Sequence, residues 1–173
     1  GSLQTLNAGA DAYNVAVGYN AGLAMTTGAS NTIIGGLAGD ALTTGSDNVA
    51  IGANALSTED TGGRNVAVGR GTLQNQNVDS SAYNVAIGYE AGNDITTGVN
   101  NVIMGGLAGD ALTTGAYNIA IGYQALSSED TGSVSIGIGY YALQAQNNAS
   151  NNYNIAIGHS AGAAITSGTQ NTL

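Results

Sequence analysis

Few residues in this 173-residue chain carry reactive chemistry. The only histidine is His159. Three copies meeting on a symmetry axis could hold a metal through imidazole nitrogen, which makes His159 a weak metal candidate. The competing reading is a tolerated surface position, because Tyr19 and Tyr89 stand at the equivalent places of other repeats. A Ser-His-Asp set would need His159 plus partners, and no strand-to-helix nucleophile elbow is predicted. Gly137-Ile138-Gly139 is a repeat element and not a phosphate loop, since no helical pattern follows it. Acidic pairs recur at Glu59-Asp60 and Glu129-Asp130, and Asp40 recurs as Asp110. Calcium takes six to eight oxygens, more than these turns supply, so they read as solvated turns. No catalytic residue and no cofactor is predicted, and the chain does not read as an enzyme.

Two residue types remain that could recognise something. Tyrosine, the only aromatic type, clusters at Tyr13, Tyr83, Tyr117 and Tyr153, and again at Tyr19, Tyr89, Tyr123 and Tyr140, with Tyr141 beside the last. Exposed tyrosines stack on sugars or anchor a protein partner. Tyr19, Tyr89, Tyr123, Tyr140 and Tyr141 are therefore the candidate receptor contacts, against the reading that they pack over neighbouring coils and seal a corner. The segments near Asn75–Ser81 and Gln146–Asn152 are further candidates. Threonine pairs at 26–27, 43–44, 96–97 and 113–114 raise an ice-binding alternative, with one rank of each pair facing out.

The elements that position these residues come from a repeat. A frame of Asn, branched apolar, any residue, branched apolar, Gly begins at Asn14, Asn31, Asn48, Asn65, Asn84, Asn101, Asn118, Ser135 and Asn154, and restarts at Asn171. The spacing is 17 residues, except 19 after Asn65 and after Ser135. Residues 14–83 and 84–153 match at more than half of their positions, so four coils form one larger repeat. Seventeen residues are too few for a strand–helix–strand unit of about 30. They suit one turn of a parallel β-solenoid, predicted here with two short strands per coil and about ten coils. Equivalent asparagines then form a ladder of Asn14, Asn31, Asn48, Asn65, Asn84, Asn101, Asn118 and Asn154, joined by side-chain hydrogen bonds or used as turn formers.

Alternation within each strand sends Val15 and Val17 one way and Ala16 the other. The branched residues are expected to line the coil interior. The opposite row, Ala16, Ile33, Ala50, Ala67, Ala86, Ile103, Ala120, Gly137 and Ala156, is then an outer stripe too apolar for a solvated face. It is predicted to meet copies of the chain, with Ala16, Ile33, Ala50, Ala67, Ala86, Ile103, Ala120 and Ala156 as trimer contacts.

Charge narrows the partners. Arg64 and Arg70 are the only basic residues against 11 acidic ones, and the net charge is −9. Such a chain cannot neutralise a phosphate backbone, so no nucleic acid is expected. No run approaches the roughly 20 apolar residues of a membrane span, so no membrane insertion of this segment is expected. Without cysteine there is neither disulfide nor thiolate site.

The stretch Asn118-Ile119-Ala120-Ile121-Gly122-Tyr123-Gln124-Ala125-Leu126, with Thr131-Gly132, resembles the repeats of bacteriophage tail fibres. It also resembles the β-roll head repeats of trimeric autotransporter adhesins. The resemblance covers residues 14–173; the 19-residue units and Ser135 depart from it. It implies a homotrimer, left-handed coils, and a place on the virion tail fibre or the bacterial cell surface. It implies an extracellular structural fibre or adhesin segment, with a cell-surface glycan or protein as receptor; a passive shaft without ligand is the alternative, and an ice-binding solenoid a more remote one. Gly1-Ser2 reads as an expression-tag scar and residues 3–173 as one solenoid segment of a longer fibre.

Overall fold

The computed structural model describes residues 1–7 and 11–173. Branched residues at alternate positions favour extended backbone, and each frame forms one three-residue strand. These are β1 (Val15–Val17), β2 (Thr32–Ile34), β3 (Val49–Ile51), β4 (Val66–Val68), β5 (Val85–Ile87), β6 (Val102–Met104), β7 (Ile119–Ile121), β8 (Ile136–Ile138) and β9 (Ile155–Ile157). They build one parallel sheet in chain order. Pairing is in register with the repeat, so Val15 lies beside Thr32 and, across a 19-residue coil, Val66 lies beside Val85. The fold is a parallel β-solenoid of about eight turns, without helix among the described residues. At about 4.8 Å per turn the stack is about 38 Å tall. The frame at Asn171 adds only a bridge between Thr172 and Ile155.

The expectation of two strands per coil is corrected. The second wall consists of stacked turns, still hydrogen-bonded from coil to coil: Gly22 N–H donates to Ala38 O at 3.0 Å and Ala24 N–H to Asp40 O at 3.0 Å. The reason is local. Left-handed residues recur along this wall, including Asn20 and Gly22 in the first coil and Asn54 and Leu56 in the third, and they curl the chain too tightly for a strand. The strand-ending glycine is obligatory. At Gly35 φ is +142°, and an added Cβ would lie 2.4 Å from the carbonyl oxygen of Gly52 in the next coil.

The facing of the strands is also corrected. Ile33, Ala50, Ala67, Ala86, Ile103, Ala120 and Ala156 are fully buried inside a single chain, and Ala16 packs against the same core. These eight residues point into the coil and form no outer stripe. The branched residues on either side of them face outward. The cause is volume. The interior is narrow, and its opposite wall already projects Ala21, Ala38, Ala55 and their equivalents together with at least one long side chain per coil. Two branched ranks would overfill it.

The interior columns explain the four-coil period. One column reads Met25, Leu42, Glu59, Gln76, Ile95, Leu112, Glu129, Gln146 and Ile165. Another reads Gly22, Gly39, Leu56, Leu73, Gly92, Gly109, Leu126, Leu143 and Gly162. Where the strand contributes Ile33, the wall opposite contributes Gly39, whose added Cβ would come within 3.1 Å of Ile33 Cδ1. Where the strand contributes Ala50 or Ala67, the wall contributes Leu56 or Leu73. Large faces small in these coils, and where Ala86 meets Gly92 the neighbouring coils fill in, Ile103 Cδ1 and Leu73 Cδ2 coming within 3.1 and 3.2 Å of a Cβ added at Gly92.

Buried asparagines hold the corner before each strand. Each Oδ1 accepts the backbone N–H of the next frame residue, as in Asn31 to Asn14 at 2.8 Å and Asn118 to Asn101 at 2.9 Å. Except at Asn65, each strand-leading Nδ2 donates across the coil to a glycine carbonyl, as in Asn101 to Gly115 at 2.9 Å. The side chain therefore bonds backbone at both ends. Ser135 stands in a 19-residue coil; at the equivalent Asn65, Oδ1 still accepts the Asn84 N–H at 3.2 Å, but Nδ2 makes no glycine bond and reaches only Asn48 Oδ1, at 3.2 Å.

Candidate functional site

The outward ranks make the sheet an apolar face. One rank runs Val15, Thr32, Val49 and onward to Ile155; the other runs Val17, Ile34, Ile51 and onward to Ile157. Val17 is 58% exposed and Ile157 61%, and the residues between are half-buried or exposed. Pairing keeps these side chains in straight rows, because every coil repeats the same register.

Tyrosine columns border both edges of this face. On the edge after the strand, Tyr123 stacks on Tyr140 at 5.5 Å and Tyr140 on His159 at 5.2 Å. Tyr141 leans against both, 4.1 Å from Tyr140 and 5.9 Å from Tyr123. The structure thus joins three of the five tyrosine candidates and adds His159 to them. Tyr89 stands apart, with the Arg70 guanidinium 5.5 Å above its ring and Glu90 3.0 Å from the same arginine. Tyr19 lies four coils below Tyr89 and shares no contact with it. The rings of the cluster stack on one another, so they present edges more than faces. Its hydroxyls interact: contact with Tyr140 and partial desolvation raise the Tyr141 hydroxyl above its usual pKa.

His159 Nδ1 lies 3.1 Å from Ser160 Oγ. The five residues Gly158-His159-Ser160-Ala161-Gly162 spell the Gly-x-Ser-x-Gly of a hydrolase elbow, a match that the reading of the repeat had passed over. The match belongs to the solenoid. Gly18-Tyr19-Asn20-Ala21-Gly22 and Gly88-Tyr89-Glu90-Ala91-Gly92 occupy the same turns, and a turn follows instead of a helix. Among the described residues no group of three or more His, Asp or Glu could hold a metal ion.

On the edge before the strand, the column reads Tyr13, Ser30, Asp47, Arg64, Tyr83, Asn100, Tyr117, Val134, Tyr153 and Gln170. All ten share a left-handed φ between 49° and 62°, which lines them up. Two clefts open here at equivalent heights of the two larger repeats. The first, of about 220 Å³, is polar and lined by Ser46, Asp47, Thr61, Arg64 and Ser81 among others. The second, of about 230 Å³, lies between Tyr117 and Tyr153, with Val134, Ile119, Ile136 and Ile155 around it. The sequence places these tyrosines in a cluster able to recognise a partner but outside the five candidate receptor contacts.

The remaining chemistry faces inward. Glu59 is fully buried beside Gln76 of the next coil, whose Nε2 donates to Glu59 Oε2 at 2.9 Å. Burial raises the Glu59 carboxyl above its usual pKa, and hydrogen bonds from Gln76, Gly62 and Val78 work against that rise. Glu129 is held alike, by Gln146 at 2.8 Å and Asn152 at 2.9 Å. The acidic pairs are therefore half structural: the glutamates belong to the core, while Asp60 and Asp130 remain half-exposed. The threonine ranks are tied into the stack as well, Thr26 Oγ1 donating to Thr43 O at 3.1 Å and Thr96 Oγ1 to Thr113 O at 3.2 Å.

Protein-family models, curated proteins and solved structures yield no match to this chain. The functional reading rests on the geometry of the face and its edges.

Proposed function

We propose that this chain is a rigid, shape-bearing segment of an extracellular fibre or adhesin, and that three copies associate through the outward valine and isoleucine ranks. One observation supports the reading most: nine consecutive rungs leave two ranks open on one sheet face, apolar at every place but Thr32. The ranks are about 38 Å long and about 7 Å apart at the strand spacing of alternate residues. Soluble monomers rarely expose contiguous apolar patches beyond a few hundred Å². Register makes the face flat and self-complementary, which suits copies of itself. In this reading the coils are left-handed, and the stacked Tyr123, Tyr140, Tyr141 and His159 on the rim form the receptor contact. The segment belongs on a phage tail fibre or a bacterial surface, as the motif resemblance implies.

Light scattering tests the association. The expected mass is about 51 kDa, three times the 16.9 kDa of one chain. Ile87→Asp, placed in the middle of the face, is expected to give a folded monomer. A monomeric wild-type chain sinks the trimer. A glycan array, repeated with Tyr140→Ala, separates the adhesin from a passive shaft: the adhesin reading expects binding that the substitution removes.

A further inference from the structure

We propose that the slot between Tyr117 and Tyr153 receives an arginine side chain from a partner protein. The slot shares Ile119, Ile136 and Ile155 with the rank that the proposed trimer covers, so the test uses a chain in which that face is open.

The argument begins with the larger repeat. Residues 70 apart are equivalent, so Asp47, Arg64 and Tyr83 correspond to Tyr117, Val134 and Tyr153. In the first set the molecule fills the position itself. The Arg64 guanidinium carbon lies 5.7 Å from the Tyr83 ring centroid, within cation–π range. Its Nη1 donates to Ser81 Oγ at 2.6 Å and to the Tyr83 hydroxyl at 3.3 Å. Its Nε lies 3.7 Å from Asp47. In the second set the cation is gone. Val134 is too short to cover either ring, and Tyr117 replaces the carboxylate. What remains is the apolar cleft with a tyrosine at each end.

The dimensions suit one planar group. Tyr117 and Tyr153 are two coils apart, about 10 Å along the stack. A planar group between two rings needs about 7–8 Å, two contacts of 3.5–4.0 Å, and the rings have room to lean. The lining of Val134, Ile119, Ile136 and Ile155 would take the methylene stem. A guanidinium stacks on aromatic faces and is weakly hydrated, so it enters such a place at lower cost than an ammonium. Charge agrees: the chain carries −9 overall, and both of its arginines are paired within the chain, Arg64 with Asp47 and Arg70 with Glu90. Val134 itself sits at φ +61°, a strained conformation for a branched side chain, yet it is what leaves the slot open.

The experiment titrates the full-length Ile87→Asp chain, whose sheet face is open, with Ac-Gly-Arg-Gly-NH2 and with the uncharged citrulline peptide, following tyrosine fluorescence. The arginine peptide is expected to bind about tenfold more tightly than the citrulline peptide, as two cation–π contacts suggest. Val134→Arg is expected to fill the slot from within, as Arg64 does at the same φ of +61°, and to abolish binding. Tyr153→Leu is expected to weaken binding by several fold while leaving the circular dichroism unchanged. Equal affinity for the two peptides, no binding of either, or full binding by a folded Val134→Arg or Tyr153→Leu protein overturns the proposal.

Discussion

Gln76 Nε2 donates to Glu59 Oε2 at 2.9 Å, between adjacent coils and with both side chains fully buried. The bond is part of a directed chain, in which Asn84 Nδ2 donates to Gln76 Oε1 at 2.7 Å and Gln76 passes a donor on to Glu59. Such a chain must end on a group that only accepts, and an ionised carboxylate does that. The 19-residue coil adds Val78 N–H within 3.2 Å of Oε2, and Glu59's own coil adds Gly62 N–H, which donates to Oε1 at 2.8 Å. Gln76→Leu strips a buried charge of a partner and leaves Asn84 without its acceptor. The expected loss is about 2–3 kcal/mol by urea unfolding. Glu59→Leu combined with Gln76→Leu, which continues the column of Leu42 and Ile95, is expected to lose less than the single change.

The same carboxylate predicts an unusual pH dependence. Its pKa is raised in the fold by burial above the ordinary 4.5. Between 4.5 and the raised value the folded state binds more protons than the unfolded state, so this group makes stability fall as pH rises. Its contribution is complete below 4.5 and lost as pH climbs through the raised value. Asp40 and Asp110, raised by desolvation above 3.8, act with the same sign. Urea unfolding across pH 4 to 7 is expected to show greater stability at the acidic end, and Gln76→Leu is expected to steepen the slope.

Adjacent glycines should differ sharply. Gly35→Ala brings a Cβ to 2.4 Å from a backbone oxygen at a φ that only glycine tolerates. It is expected to cost at least about 3 kcal/mol, read by thermal unfolding. Gly36→Ala meets nothing within 4 Å and is expected to stay within about 0.5 kcal/mol of wild type.

The asparagine corners should divide by coil length. Asn101→Ser orphans the Gly115 carbonyl and the Asn118 N–H, both buried, at an expected cost of about 2–3 kcal/mol. Asn65→Ser is expected to cost about 1 kcal/mol or less, because Asn65 bonds no glycine carbonyl and Ser135 already serves at its equivalent. Chemical denaturation of the two variants checks the difference.

Repeat length, strand position and the glycine corners were legible because each is local. Branched residues at alternate places make a strand, a glycine ends it, and 17 residues close one turn. The in-register stack followed, since equal coils superpose. Alternation also told that Val15 and Val17 oppose Ala16, but not which side is inside. That choice depends on how much volume the opposite wall brings in, and Leu42, Leu56 and Ala38 meet Ile33 or Ala50 only in the folded coil. The tyrosine cluster was half visible: the column was, but the approach of Tyr141 and His159 to Tyr140 was not. The slot between Tyr117 and Tyr153 needed the stack itself, because it is made by residues 36 positions apart and emptied by the one between them. By itself, then, the sequence determined a rod of parallel coils with tyrosine edges. Only the tertiary structure decided that alanine fills it and that valine and isoleucine face outward, because side-chain volume is summed across walls and not along the strand.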